Sequence, residues 1–328
     1  MTMSDKIIVL NFISLQNAPV SMKAIKEAVT FSVSDRTVRR WLNEASNQGK
    51  LTIEGERRTT TYLPTPGGRK KPIFKFLEGK TKSLQEETLK LLRDFWTHHS
   101  TALEGNTLTL GDTQFILDEG LTVSGKPIKE HQEIIGHASA ITLIYKMLDT
   151  GVSKNSFFDL HKAVQSEIIY DIEKPYGAWK VEPNGTRVIG DNDKPVYLEY
   201  AHPKDVDKLM RLVISFVNGS TQCESIDEAI NAYVKIHIAV AHIHPFWDGN
   251  GRIARLIANI PLLRAGLPPI VIPSEKRREY IQLLSKYELT VGKLTPDSGL
   301  WPNEELLSDF EIFCHQCYQQ TLEIIDIG

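Results

Sequence analysis

His244-Pro245-Phe246-Trp247-Asp248-Gly249-Asn250-Gly251-Arg252-Ile253-Ala254-Arg255 puts an imidazole, a carboxylate, two glycines and two guanidinium groups into one short stretch. It lies between segments of helical periodicity, Ile226–His242 and Ile253–Ala265, and so reads as a loop feeding a helix. Gly249 and Gly251 permit backbone conformations closed to other residues. Successive backbone N–H groups can then line up at the helix N-terminus, where the dipole favours an anion. Arg252 and Arg255, three apart, share nearly one helix face and are close enough to hold one polyphosphate. Asp248 is a hard oxygen ligand suited to Mg²⁺, which phosphates share. His244, with an ordinary pKa near neutrality, suits the removal of a hydroxyl proton. Taken singly, each of these residues has a bland explanation: a structural histidine, a turn, two solvated arginines. Their coincidence points to a triphosphate held beside a base.

The segment matches the motif HPFx(D/E)GNGRxxR at every specified position, and the chain resembles the Fic family on that ground. The resemblance implies a helical domain that transfers AMP from ATP to Ser, Thr or Tyr hydroxyls of proteins. It implies His244 as general base, Asp248 as Mg²⁺ ligand, and Gly249, Asn250 and Gly251 as an anion hole. Arg252 would then sit on the phosphates, Arg255 on the γ-phosphate, and Phe246 would anchor the loop in the core. The related Doc kinases have Ala and Lys in the central pattern; Gly249 and Gly251 here favour nucleotidyl over phosphoryl transfer. UMP or GMP as the donated group stays open, as does removal of AMP by the same site.

Further resemblances sit on either side. Val188-Ile189-Gly190 resembles the Fic flap, which holds a target segment as an added strand. Tyr280 falls where related domains place an aromatic ring beside the adenine. Ser100-Thr101-Ala102-Leu103-Glu104-Gly105-Asn106 resembles the inhibitory motif (S/T)xxxE(G/N). Glu104 would pair with Arg255, deprive the γ-phosphate of its partner and misplace the α-phosphorus for attack.

The elements that must position these residues are mostly helical from Ser83 onward. Periodic segments cover Ser83–Thr97, Lys129–Leu148, Ser156–Ile169, Asp205–Asn218, Ile226–His242, Ile253–Ala265, Ser274–Leu289 and Asn303–Ile325. Trp179–Tyr200 alone reads as a hairpin, with short apolar pairs broken by turn residues. The expected fold is mainly α: a Fic-type helical domain over 83–328 with an embedded β-hairpin flap and an inhibitory helix near 97–106.

Ahead of it, residues 1–66 show helical patterns at Ile7–Leu15, Ser21–Val29 and Asp35–Gln48, with Ser21 and Ser34 as N-caps. Gly49 stops the third helix. Leu51–Glu54 and Thr59–Leu63 then read as strands around a tip carrying Arg57 and Arg58. This order is that of a small winged helix-turn-helix domain, whose third helix, with Arg36, Arg39 and Arg40, could enter a DNA major groove. The alternatives are protein contacts and dimerisation. A linker is expected over 67–82, where Pro, Gly and charge concentrate.

Composition bounds the rest. The 328 residues carry a net charge of −3, so the chain as a whole is not built to coat nucleic acid. The amino-terminal 66 residues are nonetheless +3 and the remainder −6, which suggests separate partners for the two parts. No signal-peptide pattern and no apolar run of membrane-spanning length are seen, so a cytoplasmic location without membrane contact is expected. Cys223, Cys314 and Cys317 form no disulfide framework, and the CxxC lacks the second pair of a zinc site, so they read as ordinary thiols. Expected partners are ATP with Mg²⁺, a protein hydroxyl (that of the chain itself included), DNA through residues 1–66, and a second copy as a homodimer.

Overall fold

The computed structural model describes residues 2–14, 16, 18–30, 33–47, 50–55, 59–64, 74–165, 171–189, 194–220 and 223–327. The first part builds its own small core. Helices α1 (Thr2–Ser14), α2 (Met22–Ala28) and α3 (Asp35–Asn47) pack with strands β1 (Val20–Ser21), β2 (Leu51–Glu54) and β3 (Thr61–Pro64). The sheet is antiparallel in the order β1-β3-β2, with Ile53 opposite Tyr62. Ser21 caps α2 by accepting from Ala24 N, and Ser34 Oγ accepts from Thr37 N at the head of α3. Val38, Trp41, Leu42 and Ala45 form the buried face of α3, against Val9, Phe12, Ile13 and Ile25. Arg36, Arg39 and Arg40 are exposed on the opposite side. The second hairpin strand starts at Thr61 rather than Thr59, while Gly49, Arg57 and Arg58 lie outside the described residues.

This module is docked rather than tethered. Helix α8 (Pro203–Gly219) packs against α1, and Asn218 Nδ2 donates to Ala28 O at 3.3 Å. Gln16 Nε2 donates to Thr150 O at 2.8 Å, and Ser215 Oγ to Thr30 O at 3.1 Å. The expected linker is also shorter at its far end. Residues 65–73 lie outside the described part, but Lys75–Leu77 already forms a 3₁₀ turn with Leu77 buried. Lys75 N donates to Gly266 O at 2.7 Å, tying that turn to the body.

In the body, α9 (Ile226–Ile243) is buried along nearly its whole length, as a helix apolar all round must be. Around it stand α4 (Lys82–Ala102), α6 (Ile128–Thr150), α7 (Lys154–Val164), α8, α10 (Asn250–Ile257), α11 (Ile260–Arg264) and α13 (Ser308–Ile327). Helix α5 (Leu110–Glu119), capped by a Thr109–Asp112 box, has no counterpart among the periodic segments read from the sequence. The expected helix Ile253–Ala265 is two helices, broken at Asn259, whose amide donates to Arg255 O and Ile270 O and accepts from Ile270 N. Strands β4 (Gly185–Ile189) and β5 (Pro195–Glu199) form the anticipated hairpin, with Val188 opposite Val196. Helix α12 (Arg277–Val291) follows α11, and Cys314 and Cys317 are buried on α13. No helix among the described residues is long and apolar enough to cross a membrane.

Candidate active site

Helix α9 ends at His244, whose backbone is left-handed at φ 52, ψ 61. Among the described residues no other non-glycine has a positive φ, a conformation that costs energy and collects at functional sites. His244 Nδ1 lies 3.2 Å from Ala241 O. A carbonyl can only accept, so Nδ1 carries the proton and the neutral ring keeps its lone pair on Nε2. The Tyr200 ring stacks on this imidazole, centroids 3.9 Å apart and planes 5° apart. Burial, and then the neighbouring Lys180 charge, push the His244 pKa down to about 3. The imidazole is therefore neutral well below the pH expected of an unperturbed ring.

The loop that follows is closed on itself. Phe246 is buried and stacks on His161, centroids 4.3 Å apart. The Asn250 side chain accepts from Phe246 N at 2.8 Å and donates to Phe246 O at 2.9 Å, so that side chain folds the loop. Gly249 caps α10 at φ 77, and the first turn of the helix leaves backbone N–H groups without helical partners. A Cβ on Gly251 would meet Glu104 Oε1 at 2.6 Å and Arg255 Nη1 at 3.1 Å. A side chain there would fill the place where an anion meets the guanidinium.

The two arginines flank this turn with different partners. Arg255, 3% exposed, donates from Nε to Ser100 Oγ at 3.0 Å and from Nη2 to Ser100 O at 2.8 Å. Its Nη2 also reaches Glu104 Oε1 at 2.6 Å, and its Nη1 reaches the Tyr280 hydroxyl at 3.3 Å. Arg252 donates from Nη1 to Val164 O at 2.7 Å and lies 3.7 Å from Asp248. Its buried Nε has no protein partner, a donor an anion in the cradle would satisfy. Asp248 is 53% exposed on its side chain beside this cradle. A single accessible carboxylate next to a phosphate site fits Mg²⁺, which completes its shell with phosphate oxygens and water.

Glu104 sits in the turn just past α4, where Arg277 Nε donates to Leu103 O at 2.7 Å. Burial opposes ionisation of its carboxyl, but the Arg255 guanidinium outweighs it and holds the pKa below the usual value. The reciprocal balance holds for Arg255: burial disfavours its charge, and Glu104 more than restores it. The sequence motif thus brings the Glu104 carboxylate onto the Arg255 guanidinium.

Tyr280 requires a correction. It is 5% exposed, packed with Phe310 and Phe313, and its hydroxyl bridges Arg255 and His237 Nε2 at 3.1 Å. It orients the guanidinium from below instead of offering a face to an adenine. Val188 lies on β4 as expected; the Ile189 side chain and Gly190 fall outside the described residues. Sequence reasoning missed Lys180, Asn184, Tyr200, His161 and the Val164 carbonyl. Of these, only Tyr200, an aromatic at the hairpin's end, carried any advance signal.

Residues 152–262 match the Fic/DOC family. The protein adenylyltransferase fic-1 of Caenorhabditis elegans is 32% identical over 208 residues, covering 61% of this chain and 37% of that protein. The protein adenylyltransferase Fic of Drosophila melanogaster is 31% identical over 229 residues, 69% of this chain and 41% of that one. The chain thus spans about two fifths of the length of these curated relatives. A solved Fic-domain-containing signaling protein from Bacteroides thetaiotaomicron superposes with TM-score 0.64 at 24% identity, covering 77% of this chain and 94% of that one. A solved portion of C. elegans Fic-1 gives TM-score 0.56 at 24% identity, over 76% and 66% of the two chains. At that identity the solved structures speak to the fold alone.

Proposed function

The chain carries a Fic/DOC-family domain and is related to the protein adenylyltransferases Fic, and from this premise we propose that it transfers AMP from ATP to a protein hydroxyl. The observation that carries the proposal is the Arg255–Glu104 contact at 2.6 Å beside the glycine-shaped head of α10, with the His244 base at the other end of the same loop. In this reading the phosphates of ATP lie on the backbone N–H groups of Asn250 and Gly251, with Arg252 and Arg255 on either side. Nε2 of His244 takes the proton of a Ser, Thr or Tyr hydroxyl as its oxygen attacks the α-phosphorus. The bond from the α-phosphorus to the bridging oxygen breaks, and pyrophosphate leaves. Asp248 would hold Mg²⁺, which when bound would supply positive charge to the phosphates. The hairpin edge at Val188 and Ile189 holds the target backbone as an added strand.

Glu104 brakes this reaction. Its carboxylate takes the cation that the γ-phosphate needs and presents a negative charge in its place. The test uses the Glu104→Gly variant with ATP labelled at either the α or the γ position. Label entering protein from the α position alone supports the proposal. Label from the γ position would mean phosphoryl transfer, and label from neither would end the enzymatic reading.

A second reading concerns the amino-terminal module. Arg36, Arg39 and Arg40 stand exposed on α3, as in a winged helix that reads DNA, with the Fic domain sensing nucleotide. Salt-dependent binding of duplex DNA by the full chain, lost on replacing Arg39 and Arg40 by Ala, separates it from a purely enzymatic role.

A further inference from the structure

We propose that Lys180 is a positioning residue for His244, clamping the catalytic base in its left-handed backbone and joining it to the root of the hairpin flap. The inference rests on the adenylyl-transfer reading for what His244 does, and on the structure for how it is held.

The clamp is made of backbone carbonyls. Lys180 N donates to Pro245 O at 2.9 Å, and Lys180 Nζ donates to Ile243 O at 3.3 Å. One residue thereby bonds the carbonyls of both chain neighbours of His244. Nζ also donates to Asn184 Oδ1 at 2.5 Å, and Asn184 Nδ2 donates to Phe246 O at 3.0 Å. Carbonyls at 243, 245 and 246 are therefore all taken up by the segment that leads into β4. The strand that leaves the flap completes the grip: Tyr200 N donates to Asn184 O at 3.1 Å, and the Tyr200 ring covers the imidazole. A strained backbone persists only where its surroundings over-determine it, and these contacts do so at His244.

Lys180 is an uncommon residue for such a place. Its side chain is 3% exposed, and among the described residues it has no carboxylate ion-pair partner. Glu199, whose charge acts on it, is paired with Lys293 at 2.7 Å. The other groups facing it are the Lys293 charge, the Tyr200 ring 5.9 Å from Nζ, and the His244 imidazole. Burial lowers its pKa to about 7, so an ammonium is not obligatory beside a base that must accept a proton. A methionine would fill the same space and lose every Nζ bond.

The experiment compares Glu104→Gly with Glu104→Gly carrying Lys180→Met. The expected result is a fall in kcat of about 10-fold to 100-fold with KM for ATP unchanged within about twofold. The separation follows because, among the described residues, Lys180 makes its hydrogen bonds to Ile243, Pro245 and Asn184 and none to the phosphate cradle at α10. Nitrogen NMR of His244 gives a readout independent of turnover: the Nδ1–H tautomer dominates in the parent and becomes a mixture in the variant. Unchanged kcat and tautomer would overturn the proposal, as would a loss of ATP affinity matching the loss of kcat. Should Lys180→Met fail to fold, Asn184→Ala removes the shared acceptor and the Phe246 contact, and a several-fold loss of kcat is expected; none would overturn the proposal. If the Glu104→Gly parent transfers no AMP, the adenylyl-transfer reading fails, while the tautomer measurement still decides the clamp.

Discussion

The two ends of the catalytic segment are held by opposite electrostatics. At the His244 end, burial drives titratable groups to their neutral forms: His244 to about 3, Lys180 to about 7, and Glu288, whose carboxyl acts on Tyr200, up to about 8. At the Arg255 end, pairing drives groups to their charged forms, with the Glu104 carboxyl held down and the Arg255 guanidinium held up. The difference separates fixed neutral groups from an exchangeable ion pair. Neutral groups fixed by stacking and backbone carbonyls have no competitor in solution and stay in place. An ion pair can be exchanged for another anion, and Glu104 is 42% exposed on its side chain. The Arg255 guanidinium is also held by Ser100 and Tyr280, contacts that do not run through Glu104.

The largest effect comes from removing the base. His244→Ala in the Glu104→Gly background is expected to lower AMP transfer on the order of 10³-fold while ATP still binds. Equal loss of ATP binding would erase the distinction between the two ends. A smaller effect sharpens it. Because the folded pKa of His244 is depressed, its base form is lost only as pH falls through about 3, not through the usual value near 6.5. Between pH 6 and 8 no acid limb from His244 is expected in kcat/KM of the Glu104→Gly variant, and a limb with a midpoint near 6.5 would show that the imidazole is not shielded.

The smallest effect is on stability. Glu288 has a folded pKa raised above its unfolded value, so its contribution is fully present below that unfolded value and is lost as pH rises through about 8. Glu288→Gln, which has no proton to lose, is expected to be more stable than wild type by about 1–3 kcal/mol at pH 8 and equal to it near pH 4.5. Denaturation at the two pH values checks this; a difference independent of pH would contradict it.

What could be read from the residues was the contiguous part of the site. The loop from His244 to Arg255 declares itself because its chemistry is local, and Glu104 because the pattern that marks it, Ser100 to Asn106, is contiguous too. The clamp on His244 was not legible, since the atoms that Lys180 and Asn184 grip are backbone carbonyls, which every residue owns. Tyr280 was misread for a related reason: periodicity places it on a helix but does not say whether the ring faces a cleft or supports an arginine. Helix α5 escaped notice because its apolar residues make no sustained stripe and Gly111 stands in its first turn. The amino-terminal module meets the body in part through side-chain amides and hydroxyls on main-chain oxygens, as with Asn218 on Ala28, contacts that composition does not reveal.

The most direct measurement is the rate at which intact-mass spectrometry records AMP addition to the full chain incubated with ATP and Mg²⁺, for wild type and for Glu104→Gly. A rate at least about tenfold higher in the variant is predicted, as expected when the γ-phosphate recovers its guanidinium partner. Equal rates in the two chains would contradict the account, because the carboxylate seated on Arg255 would then withhold nothing from the nucleotide.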